Sequence, residues 1–172
     1  MKLILLMAQT VDGKVARARH ELVNWTSKED KKFFVSETKR VGAIIMGRTT
    51  FETFGKLLSG RTIIVMTRSP RDPLISEDGK VIFTNDTPDV ILQKLEAEGR
   101  SEAILAGGPT INHLFLEKNL IDEIKISVEP RLFGDGLSIF EGTSVDLTLE
   151  FISLTHLTPS VIVLHYKVVK DS

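Results

Sequence analysis

Four short apolar runs, residues 3–8, 43–46, 62–66 and 103–106, constrain this chain more than any other feature. None alternates with polar residues, so each marks a strand buried on both faces, and such a strand needs cover above and below it. Helical patterns lie between the runs as that requires. The spacing predicts strands at 2–9, 43–46, 62–66, 80–84, 102–106 and 123–128, and helices at 28–39, 49–54, 88–98 and 109–118. Strands alternating with single helices imply an α/β fold with a mainly parallel sheet covered on both sides. The end of the chain differs. Strands near 147–157 and 160–169 flank Thr158 and Pro159. Along the second, Val161, Val163, His165 and Lys167 alternate with Ile162, Leu164, Tyr166 and Val168. That pattern predicts an antiparallel hairpin closing the sheet edge.

Composition removes several classes of function. At 172 residues the chain is long enough for one full core, and it carries no internal repeat or linker, so a single domain over 1–172 is expected. A net charge of -1 provides no basic field for duplex nucleic acid. The absence of cysteine excludes disulfides, thiolate metal sites and a cysteine nucleophile, and fits a reducing cytoplasm. His20, His113, His156 and His165 lack metal-ligand spacing, so no metal is expected. No stretch approaches the roughly 20 apolar residues of a membrane span. The run at 3–8 is short and followed at once by Gln9 and Asp12, as a buried first strand would be.

The candidate chemistry lies where strands hand over to helices. Gly107 and Gly108 stand between the run at 103–106 and a helix opening at Pro109. Paired glycines let a ligand approach the backbone, and a helix N-terminus offers free N–H groups to an anion. Gly47, Arg48, Thr49 and Thr50 form a second turn of this kind after 43–46, so the two turns together suit a pyrophosphate. Past 62–66 come Thr67, Arg68 and Ser69, one guanidinium and two hydroxyls suited to a phosphate monoester such as the 2′-phosphate of NADPH. Asp12, Gly13, Lys14 and Val15 follow the first strand, either as a plain turn or as a ligand loop at the carboxyl end of a sheet. Asp30 has two readings. It shares a helix face with Phe33 and Phe34, where poor solvation would raise its pKa, and it also stands three residues after Ser27, where it would complete a capping box.

The segments Asn24–Asp30, Ile45–Glu52 and Ser59–Arg61, with Phe34, resemble the first half of dihydrofolate reductases. Ala106–Asn112, Leu120–Glu123 and Pro130–Gly136 resemble the reductase domain of the bifunctional deaminase/reductase of riboflavin biosynthesis. Both families share one dihydrofolate-reductase-like fold, and the resemblance spans essentially the whole chain. It implies three layers around a mixed sheet of about eight strands, with NADPH as the cofactor and a homodimer as the assembly. Carried over by position, Gly47, Arg48, Thr49, Thr50, Met66, Thr67, Arg68, Gly107, Gly108, Thr110 and Ile111 would hold the cofactor. Ala8, Asp12, Lys14 and Val15 would lie near the nicotinamide and the substrate mouth. Asp30, Phe34, Leu58 and Ser127 would face the substrate, with Asp30 handling a proton and Arg61 where dihydrofolate reductases hold the glutamyl carboxylate. Ile111 stands where those enzymes commonly carry Tyr, and Lys31 where they carry an apolar residue. These departures rank 5-amino-6-(5-phosphoribosylamino)uracil reductase ahead of dihydrofolate reductase as the expected activity. A nucleotide-binding module without turnover is the rival from another class.

Overall fold

In the computed structural model, which describes residues 1–54, 58–76, 79–142, 144 and 146–170, the apolar runs form the middle of a nine-stranded sheet. The chain order is β1 (Lys2–Thr10), α1 (Lys28–Val41), β2 (Ala43–Gly47), α2 (Arg48–Phe54), β3 (Arg61–Met66), β4 (Leu74–Ser76), β5 (Gly79–Thr84), α3 (Pro88–Ala97), β6 (Glu102–Leu105), α4 (Pro109–Glu117), β7 (Glu123–Glu129), β8 (Leu149–His156) and β9 (Ile162–Val168). Across the sheet the order is β4-β5-β3-β2-β6-β1-β7-β9-β8. The contacts from β5 through β3, β2, β6 and β1 to β7 are parallel, and those of β4 with β5, β7 with β9 and β8 with β9 are antiparallel.

The unbroken apolar runs are explained by cover on both faces. In β2, Ala43 and Ile45 pack with Ile91 and Leu95 of α3 and Phe115 of α4, while Ile44 and Met46 pack with Val41, Phe33 and Phe34 of α1 and Phe51 of α2. Period-2 geometry sends alternate side chains to opposite cores, and burial of both removes the polar alternation. The sheet has nine strands rather than about eight because β4 pairs with β5 at the edge. Three residues preceded by Pro70 and Pro73 carry no readable period.

All four expected helices are present. Helix α1 shows the reasons most clearly. Ser27 caps it by accepting from the Asp30 N–H at 3.1 Å, Glu29 and Asp30 sit in the first turn, and Lys39 and Arg40 in the last. Gly42 ends it at φ 77, a left-handed conformation that glycine adopts without steric cost, with its N–H on the Thr38 carbonyl. Among the described residues no helix is long and apolar enough to cross a membrane, and no group of His, Asp or Glu side chains is arranged to hold a metal ion.

Candidate active site

The carboxyl ends of β1, β2, β3, β5 and β6 open into one cleft of about 1290 Å³. Ligands of open parallel sheets bind at such ends. At its centre the two expected turns meet: the Gly47 N–H donates to the Gly107 carbonyl at 2.8 Å, and the Ala106 N–H to the Ile45 carbonyl at 2.8 Å. Space there is tight. A Cβ on Gly47 would lie 2.8 Å from Ile111 Cγ1, and one on Gly108 would lie 3.2 Å from Thr50 Oγ1. Gly107 has φ +88, in the left-handed region. Gly108 is the N-cap of α4 and supplies no side-chain cap, so the helix opens bare onto the cleft.

One arm of the cleft runs from these turns over the ends of β3 and β5. Met66, Thr67, Arg68 and Ser69 line it, joined to Thr84 through the Thr67 N–H at 2.8 Å. Arg48 is committed to Glu52 at 2.7 Å, whereas Arg68 has no carboxylate partner among the described residues. Thr84, Asn85, Asp86, Thr87 and Pro88 complete this arm. Sequence reasoning missed them although the signal was present. Thr87 and Pro88 repeat the strand-end, N-cap and Pro order seen at Gly108 and Pro109.

The other arm is built by α1, β7 and the segment after β1. Ala8, Val15, Trp25, Thr26, Asp30, Phe34, Leu58 and Ser127 all line it. Phe34 lies 5.2 Å from Phe54, centroid to centroid, so one wall is aromatic. Asp30 is 7% exposed. Burial pushes its carboxyl pKa up, the Ser127 and Thr26 hydroxyls oppose that by favouring the ionised form, and the Glu129 charge adds to the rise. Neither hydroxyl forms a well-directed hydrogen bond within the protein, and Trp25 Nε1 is buried without a partner as well. The two orphaned hydroxyls beside the Asp30 carboxyl form a polar floor to an otherwise apolar arm.

Half of the expected capping box is present. Asp30 does not return its carboxylate to the Ser27 backbone, because Glu129 takes that place, accepting from the Ser27 N–H at 2.8 Å and from its hydroxyl at 2.7 Å. The carboxyl of Asp30 is thereby left to the cleft.

Four expected site residues lie outside the cleft lining. Gly107 turns its carbonyl to the Gly47 N–H and stands between Ala106 and Gly108, which do line it. The Asp12 carboxylate accepts from the Thr10 hydroxyl and from the Phe133 and Gly134 N–H groups, which hold its pKa down. Lys14 closes the same turn, its N–H on Thr10 Oγ1 at 2.9 Å and its carbonyl on the Thr10 N–H at 2.9 Å. Residues 12–14 thus form a hydrogen-bonded turn that leads into Val15 at the cleft. Arg61 is 6% exposed, and its guanidinium donates to the carbonyls of Ser59 at 2.9 Å and Val35 at 2.8 Å. These two bonds strap α1 to the start of β3, and Arg61 Nε is buried without a partner. Arg61→Ala orphans two carbonyls at about 1–3 kcal/mol each. It is expected to lower Tm by roughly 4 °C or more while leaving KM for the substrate unchanged, as thermal melting and steady-state kinetics would show.

The comparisons agree with this geometry. The structure superposes on a putative riboflavin biosynthesis protein from Shewanella sp. PV-4 with a TM-score of 0.80 at 26% identity, covering 99% of this chain and 100% of that one. A diaminohydroxyphosphoribosylaminopyrimidine deaminase/5-amino-6-(5-phosphoribosylamino)uracil reductase from Thermotoga maritima shares the fold at a TM-score of 0.81 and 16% identity, over 98% of this chain and 56% of that one. Dihydrofolate reductase from Enterococcus faecalis, complexed with NADP(H), shares it at 0.69 and 20% identity, over 97% and 96%. The profile of the RibD C-terminal domain matches residues 1–163, and the chain belongs to the RibD C-terminal domain family.

Proposed function

We propose that the chain is an NADPH-dependent reductase that delivers hydride to a C=N or carbonyl carbon of a pyrimidine-type substrate, most like 5-amino-6-(5-phosphoribosylamino)uracil reductase. The observation that supports this is the continuity of the cleft, with a cation and hydroxyls at one end, a glycine cradle in the middle and a buried carboxyl at the other. Its volume of about 1290 Å³ exceeds the roughly 300–1,000 Å³ usual for one small ligand. That leaves room for a dinucleotide and a heterocycle side by side.

The residues fit the cofactor. Gly47 and Gly108 leave open the space that a Cβ would contest with Ile111 and Thr50, the bare N-terminus of α4 offers N–H groups to a pyrophosphate, and Arg68 with Thr67 and Ser69 suits a 2′-phosphate. When bound, the nicotinamide supplies the hydride. The chain supplies position and a proton. Phe34 and Leu58 hold a planar ring and keep water from it. Asp30, its pKa raised by burial, would hold a proton at the floor of this arm and pass it to a substrate heteroatom. Ser127 and Thr26 offer their unpartnered hydroxyls to the substrate.

Dihydrofolate ranks second because Arg61, the residue placed to meet a glutamyl tail, is buried outside the cleft lining with donors on the carbonyls of Ser59 and Val35. The test is NADPH absorbance loss with ribosylaminopyrimidine phosphates, dihydrofolate and related heterocycles. Turnover of the first group is expected, and binding without oxidation across the panel would favour a non-catalytic module. Arg68→Ala is expected to weaken NADPH roughly tenfold or more and leave NADH nearly unchanged, since a charged hydrogen bond contributes roughly 1.5–3 kcal/mol. Equal losses for both cofactors in a titration would remove Arg68 from the 2′-phosphate site.

A further inference from the structure

We infer that Glu129 is a positioning residue for the reaction: by taking over the cap of α1 it releases the Asp30 carboxyl into the cleft, and it sets a second acidic side chain behind the same helix turn. The inference rests on the proton-handling role proposed for Asp30. Its basis is a relay of contacts. The Asp30 N–H donates to Ser27 Oγ at 3.1 Å, and the Ser27 hydroxyl and N–H both donate to one Glu129 oxygen, at 2.7 and 2.8 Å. Glu129 is the last residue of β7, is 3% exposed, and has no ion-pair partner among the described residues. Ser127, two residues earlier, lies on the same side of β7 and lines the cleft beside Asp30.

A buried carboxylate without a cation is costly unless its surroundings need it. The α1 N-terminus accounts for part of that need, since free N–H groups there favour negative charge. A neutral side chain with the same acceptor would cap as well, so capping alone leaves the charge unexplained. The charge has a consequence at Asp30. A second anion nearby opposes ionisation, in the same direction as burial. The other groups around Asp30 do not supply this effect. Lys31 on α1 is the neighbouring cation and acts the other way, and Thr26 and Ser127 are hydroxyls that also favour ionisation. The segment after β1 brings Arg19, His20 and Glu21 to the cleft, but Arg19 is paired with Glu141 at 2.9 Å and Glu21 with Arg17. Glu129 is the one group named here that both anchors the helix and favours the protonated acid.

Glu129→Gln separates the two roles, because the amide oxygen can still accept from Ser27 while the charge is gone. The readout is the titration of the Asp30 carboxyl by carbon-detected NMR on the full chain without ligands, assigned by its loss in Asp30→Asn, together with the pH profile of kcat and thermal melting. The Asp30 midpoint is expected to move to lower pH in Glu129→Gln, the ionisation seen in kcat to move with it, and Tm to stay close to wild type. An unmoved midpoint in a folded Glu129→Gln would overturn the inference and leave Glu129 as a cap. If Glu129→Gln fails to fold, Ser27→Ala provides the check. It removes the hydroxyl contact but retains the Glu129 charge, so the Asp30 midpoint should stay high; a fall to the ordinary aspartate range would assign the effect to hydrogen bonding and overturn the inference. The underlying reading fails differently: Asp30→Asn would then retain turnover, whatever Glu129→Gln does to the Asp30 titration.

Discussion

Asp30→Asn is expected to lower kcat by roughly 10²–10⁴ while the protein melts at the same temperature as wild type or higher. The two halves of this result have one cause. Burial and the Glu129 charge raise the pKa of Asp30 in the folded protein above its unfolded value. Between those two values the folded chain binds more protons than the unfolded chain, so this group makes stability fall as pH rises through that window. At neutral pH the wild type therefore carries a destabilising contribution that a neutral amide lacks. The Tm advantage of Asp30→Asn should appear on the alkaline side of the window and vanish on the acid side. The cap survives in the variant, because Ser27 accepts from the backbone N–H of residue 30 and Glu129 holds Ser27. A pH series of melts beside kcat measurements reads both effects. Unchanged turnover in a folded Asp30→Asn would return the residue to a structural role.

Gly47→Ala is expected to weaken NADPH binding roughly tenfold or more. The added methyl would lie 2.8 Å from Ile111 Cγ1, and Ile111 sits in the first turns of α4, where the helix faces the cleft. Relief requires the Gly47 to Gly107 hydrogen bond to lengthen or α4 to shift, and overpacking of this kind costs about 1–3 kcal/mol. Removing the obstacle should restore binding, so Gly47→Ala combined with Ile111→Ala is expected to bind NADPH more tightly than Gly47→Ala alone. Gly99→Ala is the control. Gly99 has φ +81 with no atom within 4 Å of its added Cβ, so that variant should lose stability by about 1–2 kcal/mol and keep its NADPH affinity. Fluorescence titrations with NADPH measure all three. Equal affinity in Gly47→Ala and wild type would remove the cradle from the binding account.

Elements determined by local pattern were legible in the sequence. The apolar runs at β1, β2, β3 and β6, the Ser27 cap of α1, and the alternation along β9 each carry their own signal. Strand β4 was not legible, because three residues at an edge owe their conformation to β5 rather than to their own order. The same division holds in the cleft. Gly47, Gly108, Arg68 and Phe34 follow from turn and helix geometry, and they line it. Arg61 and Lys14 lie outside the lining, and carry-over by position cannot report that a guanidinium already holds Val35 and Ser59, or that a backbone closes on Thr10. Glu129 was missed for a related reason. It acts on a helix 102 residues away in sequence, through Ser27, and nothing local marks that contact.

The central claim is that this cleft transfers hydride from NADPH to its substrate. It is tested most directly by a turnover with NADPH carrying deuterium at the transferring C4 position, with a ribosylaminopyrimidine phosphate as acceptor and mass spectrometry of the product. Deuterium bound to carbon in the product, formed in step with NADPH oxidation and greatly reduced in Asp30→Asn, is the predicted result. NADPH bound tightly but recovered unoxidised with every heterocycle tried would contradict it.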